Sequence, residues 1–130
     1  MTKQLQSVPQ TPADPGSTLV LDVRDRFGFG NIFPEQSNLL EMKIIRQIEK
    51  KIELSVKELL SIDYAEVLDN NGVTTGRIKW DSKKEKPLSV YLSGIEINLL
   101  KKFVNRLSQE NKIKREFAEL CIKIEEAKVG

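Results

Sequence analysis

Residues 24–34 read RDRFGFGNIFP, that is Arg24-Asp25-Arg26-Phe27-Gly28-Phe29-Gly30-Asn31-Ile32-Phe33-Pro34, and the fold turns on whether they are extended or helical. Three of the chain's five phenylalanines and two of its seven glycines fall in this stretch. Glycine weakens a helix interior by about 1 kcal/mol relative to alanine. Phe27 and Phe29 alternate, which in an extended chain points both rings to one side. The pattern is read as an extended segment, with Phe27, Phe29, Ile32 and Phe33 as apolar anchors and Arg24 and Arg26 as charges at their rim.

Working outward, residues 17–23, STLVLDV, place apolar side chains at Leu19, Leu21 and Val23, with a further one at Val20. This is a β-prone run suited to a sheet edge. Together with the opening stretch it forms an arm, residues 17–37. Before it, residues 1–16 hold three prolines and almost no large apolar side chain after Val8. Such a composition buries too little surface to offset ordering entropy, so a flexible tail is expected.

Beyond Pro34 the pattern changes to helical spacing. Ser37 or Asn38 offers a cap, and Ile44, Ile45, Ile48 and Ile52 form one stripe of a helix over 39–53. Ser55 and Glu58 have capping-box spacing and predict a short helix over 56–62. Asn70-Asn71-Gly72 separates two β-prone runs and reads as a hairpin, because Asn and Gly tolerate positive φ. A third strand, 87–92, has Leu88, Val90 and Leu92 on one face, and a three-stranded meander is the economical arrangement. Ser93 and Glu96 repeat the capping box and open a helix with a stripe of Leu99, Leu100, Phe103, Val104 and Leu107. Asn111 breaks it, and Ile113, Phe117, Leu120, Cys121 and Ile124 mark a last helix. The expected fold is therefore α+β over residues 38–127: two helices, a three-stranded antiparallel sheet, and two helices packed on that sheet.

Composition excludes several chemistries. The 130-residue chain contains no histidine, which removes histidine acid–base catalysis, Ser-His triads and the common zinc ligand sets. It lacks a phosphate-binding GxxxxGK[ST] loop, and Gly28 and Gly30 lack the third glycine of a dinucleotide fingerprint. No cofactor is expected. The lone Cys121 falls on the apolar stripe of the last helix and reads as core. With no signal peptide, no membrane-length apolar run and no second cysteine, the sequence suggests a cytoplasmic protein without a membrane partner.

The net charge is only +2, too near balance to announce a polyanion partner. Polyanion contact would require local convergence of Arg77 and Lys79 on the hairpin with Lys101, Lys102 and Arg106 on the penultimate helix. The leading expectation is a non-enzymatic protein-interaction module. It would bind a partner protein, or a second copy of itself, through Arg24, Arg26, Phe27, Phe29, Ile32 and Phe33, or by strand addition from residues 18–23. The alternative is single-stranded nucleic-acid binding through Phe27, Phe29, Arg24 and Arg26 of the arm together with the basic residues of the hairpin. Against it, Gly30-Asn31 interrupts the continuation that a base-stacking strand requires.

One resemblance adds to this reading. The segments LLEMKIIRQIEKKIELSVKELL (39–60), GRIKW (76–80) and LSGIEINLLKKFVNRLSQENKIKREFAELCIKIEE (92–126) resemble, in order and patterning, small proteins encoded by tailed phages and prophages. The resemblance implies a phage or mobile-element accessory product that acts by binding a host or virion protein. It carries no catalytic or binding residue across.

Overall fold

The computed structural model describes residues 15–129; the expected tail therefore lies almost wholly outside the described residues. Strand β1 (Ser17–Leu21) leads into helix α1 (Val23–Ile32), followed by α2 (Leu39–Ile52) and α3 (Val56–Ser61). A hairpin of β2 (Ala65–Leu68) and β3 (Thr74–Lys79) comes next. Strand β4 (Leu88–Leu92), helix α4 (Gly94–Gln109) and helix α5 (Ala118–Glu126) complete the fold. The α+β class holds, with two corrections to its details.

The first correction is α1, where an extended arm was expected. Asp22 accepts from the Asp25 amide at 2.7 Å, and the Asp25 carboxylate accepts from the Asp22 amide at 3.1 Å, completing a capping box. That cap starts the helix despite its two glycines. Helical spacing then brings Phe29 and Ile32 into the core, each at 1% exposure, while Val23 is buried at 2% on another side of the helix. Burying side chains of this size contributes roughly 1.5–3 kcal/mol each, which outweighs the glycine penalty. At Gly28 a Cβ would lie 2.8 Å from the Phe117 ring, so the missing side chain is what lets α1 approach the segment leading into α5.

The second correction concerns the sheet, which is not a three-stranded meander. β4 pairs antiparallel with β1, in register Leu19↔Val90 and Leu21↔Leu88, while β2 and β3 form a separate two-stranded ribbon. In the first sheet Leu19, Leu21, Val90 and Leu92 face the core. β3 offers no comparable partner for β4: residues 74–77 are exposed, and Gly76 takes φ +81° inside the strand. A positive φ bends the strand out of the extended geometry that a further ladder needs.

One apolar core joins the β1–β4 sheet to four helices. It includes Ile45, Ile48 and Ile52 of α2, Leu100, Phe103 and Val104 of α4, and Leu120, Cys121 and Ile124 of α5. Burial pushes the Cys121 thiol pKa up, as suits a small apolar filler rather than a nucleophile. Asn111, at φ +56°, ends the α4 segment in the left-handed region, the role its side chain suits.

The third residue of each of the first four helices is acidic, and each of these carboxylates also takes a cation from another helix. Asp25 of α1 pairs with Lys123 of α5 at 2.5 Å, and Glu58 of α3 with Arg26 of α1 at 2.7 Å. Glu96 of α4 pairs with Lys51 of α2, and Glu41 of α2 with Lys102 of α4, each at 2.6 Å. The carboxylate complements the positive helix start, and the cation adds a tie between elements. Asp25 and Glu96 are nearly inaccessible, at 3% and 1% exposure, so these ties compensate charges that would otherwise be costly to bury.

Candidate interaction surfaces

The residues proposed for partner contact divide between core and surface. Phe29 and Ile32 are buried, and Phe33 is half-buried with its ring 5.9 Å from that of Phe29. Arg26, 7% exposed, spends Nε on the Ile52 carbonyl and Nη2 on the Glu53 carbonyl, both at 2.7 Å, besides its pair with Glu58. It is an internal clamp rather than a rim charge. Phe27 is half-buried, with Tyr64 at 6.0 Å and Trp80 at 5.6 Å between ring centroids. Of this set Arg24 is exposed, beside a charged cleft with Lys114, Arg115, Glu116 and Glu119. Three of the six residues are thus withdrawn into the interior while the domain is folded. Of residues 18–23, expected to add as a strand, 18–21 lie in β1 and pair with β4 along one edge of a two-stranded sheet.

The basic set has a similar division of labour. Lys102 is held by Glu41, whose carboxyl lies below its ordinary range through the Lys102 hydrogen bond and a second one from Ser37. Arg106 stacks on the Phe103 ring at 5.5 Å. Lys101 lines a groove between α4 and α5, while Arg77 and Lys79 are exposed on β3. Two of the five basic groups therefore already have partners on α4 and α2.

The most exposed stretch of the β2–β3 ribbon is residues 68–77, every one of them on the surface. Its turn is built by Asp69, whose carboxylate accepts from the Asn71 amide at 2.8 Å and the Val73 amide at 3.0 Å, and Gly72 takes φ +78° as the hairpin reading requires. The Asp69 amide donates to the Val73 carbonyl at 2.8 Å, which sets Leu68 and Val73 at the same end of the ribbon. They are 56% and 59% exposed. At the other end, Phe27 supports Tyr64 and Trp80, the Asp81 amide donates to the Ile62 carbonyl at 2.8 Å, and Lys84 pairs with Asp63 at 2.7 Å. Asp63 raises the Lys84 pKa, chiefly through that hydrogen bond.

The two outer edges of the ribbon differ. β3 carries Gly76 at positive φ together with Arg77 and Lys79, features that discourage strand addition. β2, with the sequence Ala65-Glu66-Val67-Leu68, has neither a kink of this kind nor a lysine. Sequence reasoning located this hairpin but did not single out Leu68 and Val73. The available signal was their position flanking the Asp69-Asn70-Asn71-Gly72 turn, where apolar side chains have little core within reach.

A second surface is the groove of about 440 Å³ between α4 and α5. One wall carries Lys101, Val104, Asn105 and Ser108, and the other Ala118, Cys121, Ile122 and Glu125. Each set follows a single helix face at 3, 4 and 7 spacing. Among the described residues, no group of three or more Cys, Asp, Glu or His could hold a metal ion, and no helix is long and apolar enough to cross a membrane. The chain matches no protein-family model, no curated protein and no solved structure.

Proposed function

We propose that this chain is a non-enzymatic protein-interaction domain that presents the β2–β3 ribbon to a partner protein. The observation that carries the reading is the ribbon itself: two strands paired only with each other, with apolar Leu68 and Val73 exposed at the turn end and β2 as an outer strand. An extended segment of the partner would add to β2 through main-chain hydrogen bonds, and its apolar side chains would cover Leu68 and Val73. The carboxylates support the non-enzymatic part. Asp25, Glu41, Glu58 and Glu96 are engaged in caps and ion pairs, and Arg26 holds Glu58 down at about 2, opposite to the raised pKa that a general acid needs. The resemblance to small phage-encoded proteins points to a host or virion protein as the partner class.

The test compares affinity capture from source cells by the wild-type chain and by a Leu68→Lys/Val73→Lys variant. Both changes are on the surface and should leave the melting curve nearly unchanged. A partner lost with the variant supports the ribbon; the same proteins captured by both chains would overturn it. Labelled single-stranded oligonucleotides at two salt concentrations address the nucleic-acid alternative. Salt-sensitive binding abolished by Arg77→Ala/Lys79→Ala would replace the protein reading.

A further inference from the structure

We infer that the groove between α4 and α5 is a self-association surface whose occupant is the same groove of a second copy of this chain. Its floor is apolar, formed by Val104 and Cys121 at 6% exposure each. Ile122 stands on its wall at 44% exposure, while the opposite side of α5, Leu120 and Ile124, fills the core. Ile122, with the half-buried Ala118 one turn before it, is thus the apolar part of α5 that its own domain leaves uncovered.

The charges identify the occupant. α4 and α5 pack together across a short connection and so run antiparallel. Lys101 lies eight residues before the end of α4, and Glu125 seven residues after the start of α5. Both therefore stand at the end of the groove away from the connection, one on each wall. Among the described residues neither forms an ion pair, unlike the carboxylates at the helix starts.

A two-fold axis running along the groove lays α4 of one copy against α5 of the other, with all neighbouring helices antiparallel. It keeps levels unchanged, so Lys101 of each copy meets Glu125 of the other, twice per dimer. Ile122 of each copy packs on the facing α4 at the level of Asn105, both four residues from their helix ends at the connection, and Ser108 supplies a polar contact nearer the connection. The groove is its own electrostatic complement only in this arrangement; turning one copy end over end moves Lys101 away from Glu125.

Sedimentation velocity on the full chain, from about 1 to about 500 µM, reads the outcome. The wild type should show a concentration-dependent monomer–dimer equilibrium. Ile122→Glu should be monomeric throughout, with an unchanged circular dichroism spectrum because the residue is exposed. Lys101→Glu and Glu125→Lys should each weaken self-association at least about tenfold, since each homodimer then opposes like charges. An equimolar mixture of those two variants should restore a dimer, because one copy then carries only acids at these positions and the other only bases. A wild type that stays monomeric overturns the inference, as does a dimer indifferent to Ile122→Glu. Failure of the two charge variants to associate with each other overturns it too, and that result stands even if Ile122→Glu does not fold.

Discussion

Arg26 Nη1 donates to Glu58 Oε2 at 2.7 Å from a side chain that is 4% exposed. The same guanidinium reaches the carbonyls of Ile52 and Glu53 at the end of α2, so one residue of α1 ties the end of α2 to the start of α3. Arg26→Met keeps the apolar stem but leaves two carbonyls without this donor. Urea unfolding should show a loss of about 2–3 kcal/mol. Arg26→Lys should recover less than half of it, because one ammonium cannot reproduce the fork. A Met variant as stable as wild type would remove the clamp from the account of stability.

The same pair sets an acid-stability window. Glu58 drops from an ordinary 4.5 to about 2, first because Arg26 hydrogen-bonds its carboxylate and then because the Ser55 amide does. A carboxyl whose folded pKa lies below its unfolded one adds stability above the unfolded value, and that stability is lost as pH falls toward the folded one. Wild type minus Glu58→Gln should therefore be constant above about pH 5.5 and shrink as pH falls from 4.5 toward 2. The Glu58 side chain is 44% exposed, so solvent screening holds the difference to about 1 kcal/mol or less. Melting temperatures across this range check it; a difference independent of pH would assign the effect to packing.

Gly28 and Gly30, two residues apart on α1, should respond oppositely to alanine. At Gly28 a Cβ would sit 2.8 Å from Phe117 and 3.0 Å from Leu120, whereas at Gly30 nothing lies within 4 Å. Gly30→Ala should stabilise by about 0.5–1 kcal/mol through helix propensity. Gly28→Ala gains the same propensity but must displace the Phe117 ring and the fully buried Leu120, for a net loss of about 1 kcal/mol. Equal effects in denaturant titrations would mean that α1 and α5 do not approach as closely as the structure shows.

These two glycines also explain what the sequence disclosed and what it concealed. Ser55/Glu58 and Ser93/Glu96 announced their helices because the capping box is a local device, fully contained in four residues. Asp22/Asp25 has the same spacing and was legible in principle, and Phe29, Ile32 and Phe33 have helical spacing. Glycine content and the Phe27/Phe29 alternation outweighed them, because Gly28 is selected by contact with α5, roughly ninety residues away, and no local pattern reports such a contact. Strand pairing was hidden for the same reason. The alternation in LSVYL showed which face is buried but not whether β3 or β1 lies beside it. The interaction surfaces followed suit: the ribbon turn was readable from Asn-Gly chemistry, whereas burial of Arg26, Phe29 and Ile32 depended on α1 being a helix.

The ribbon should be the least stable ordered part of the domain, and Phe27 should control it. A two-stranded ribbon is marginal by itself. Residues 69–77 are all exposed, and Phe27 meets the ribbon's base at Tyr64 and Trp80. The buried Trp80 Nε1 has no acceptor among the described residues, an unmet donor of the kind that costs about 1–3 kcal/mol. By contrast, β1 and β4 pair directly over the core through Leu19, Leu21, Val90 and Leu92. Hydrogen exchange should show β2 and β3 amides opening locally while β1 and β4 amides follow global unfolding. Phe27→Ala should speed β2–β3 exchange by about tenfold beyond its effect on β1–β4, since the support removed lies under the ribbon alone. Trp80 emission should shift to longer wavelength as its ring becomes wetter. Uniform protection across all four strands, unchanged in relative terms by Phe27→Ala, would make the ribbon an integral part of the core.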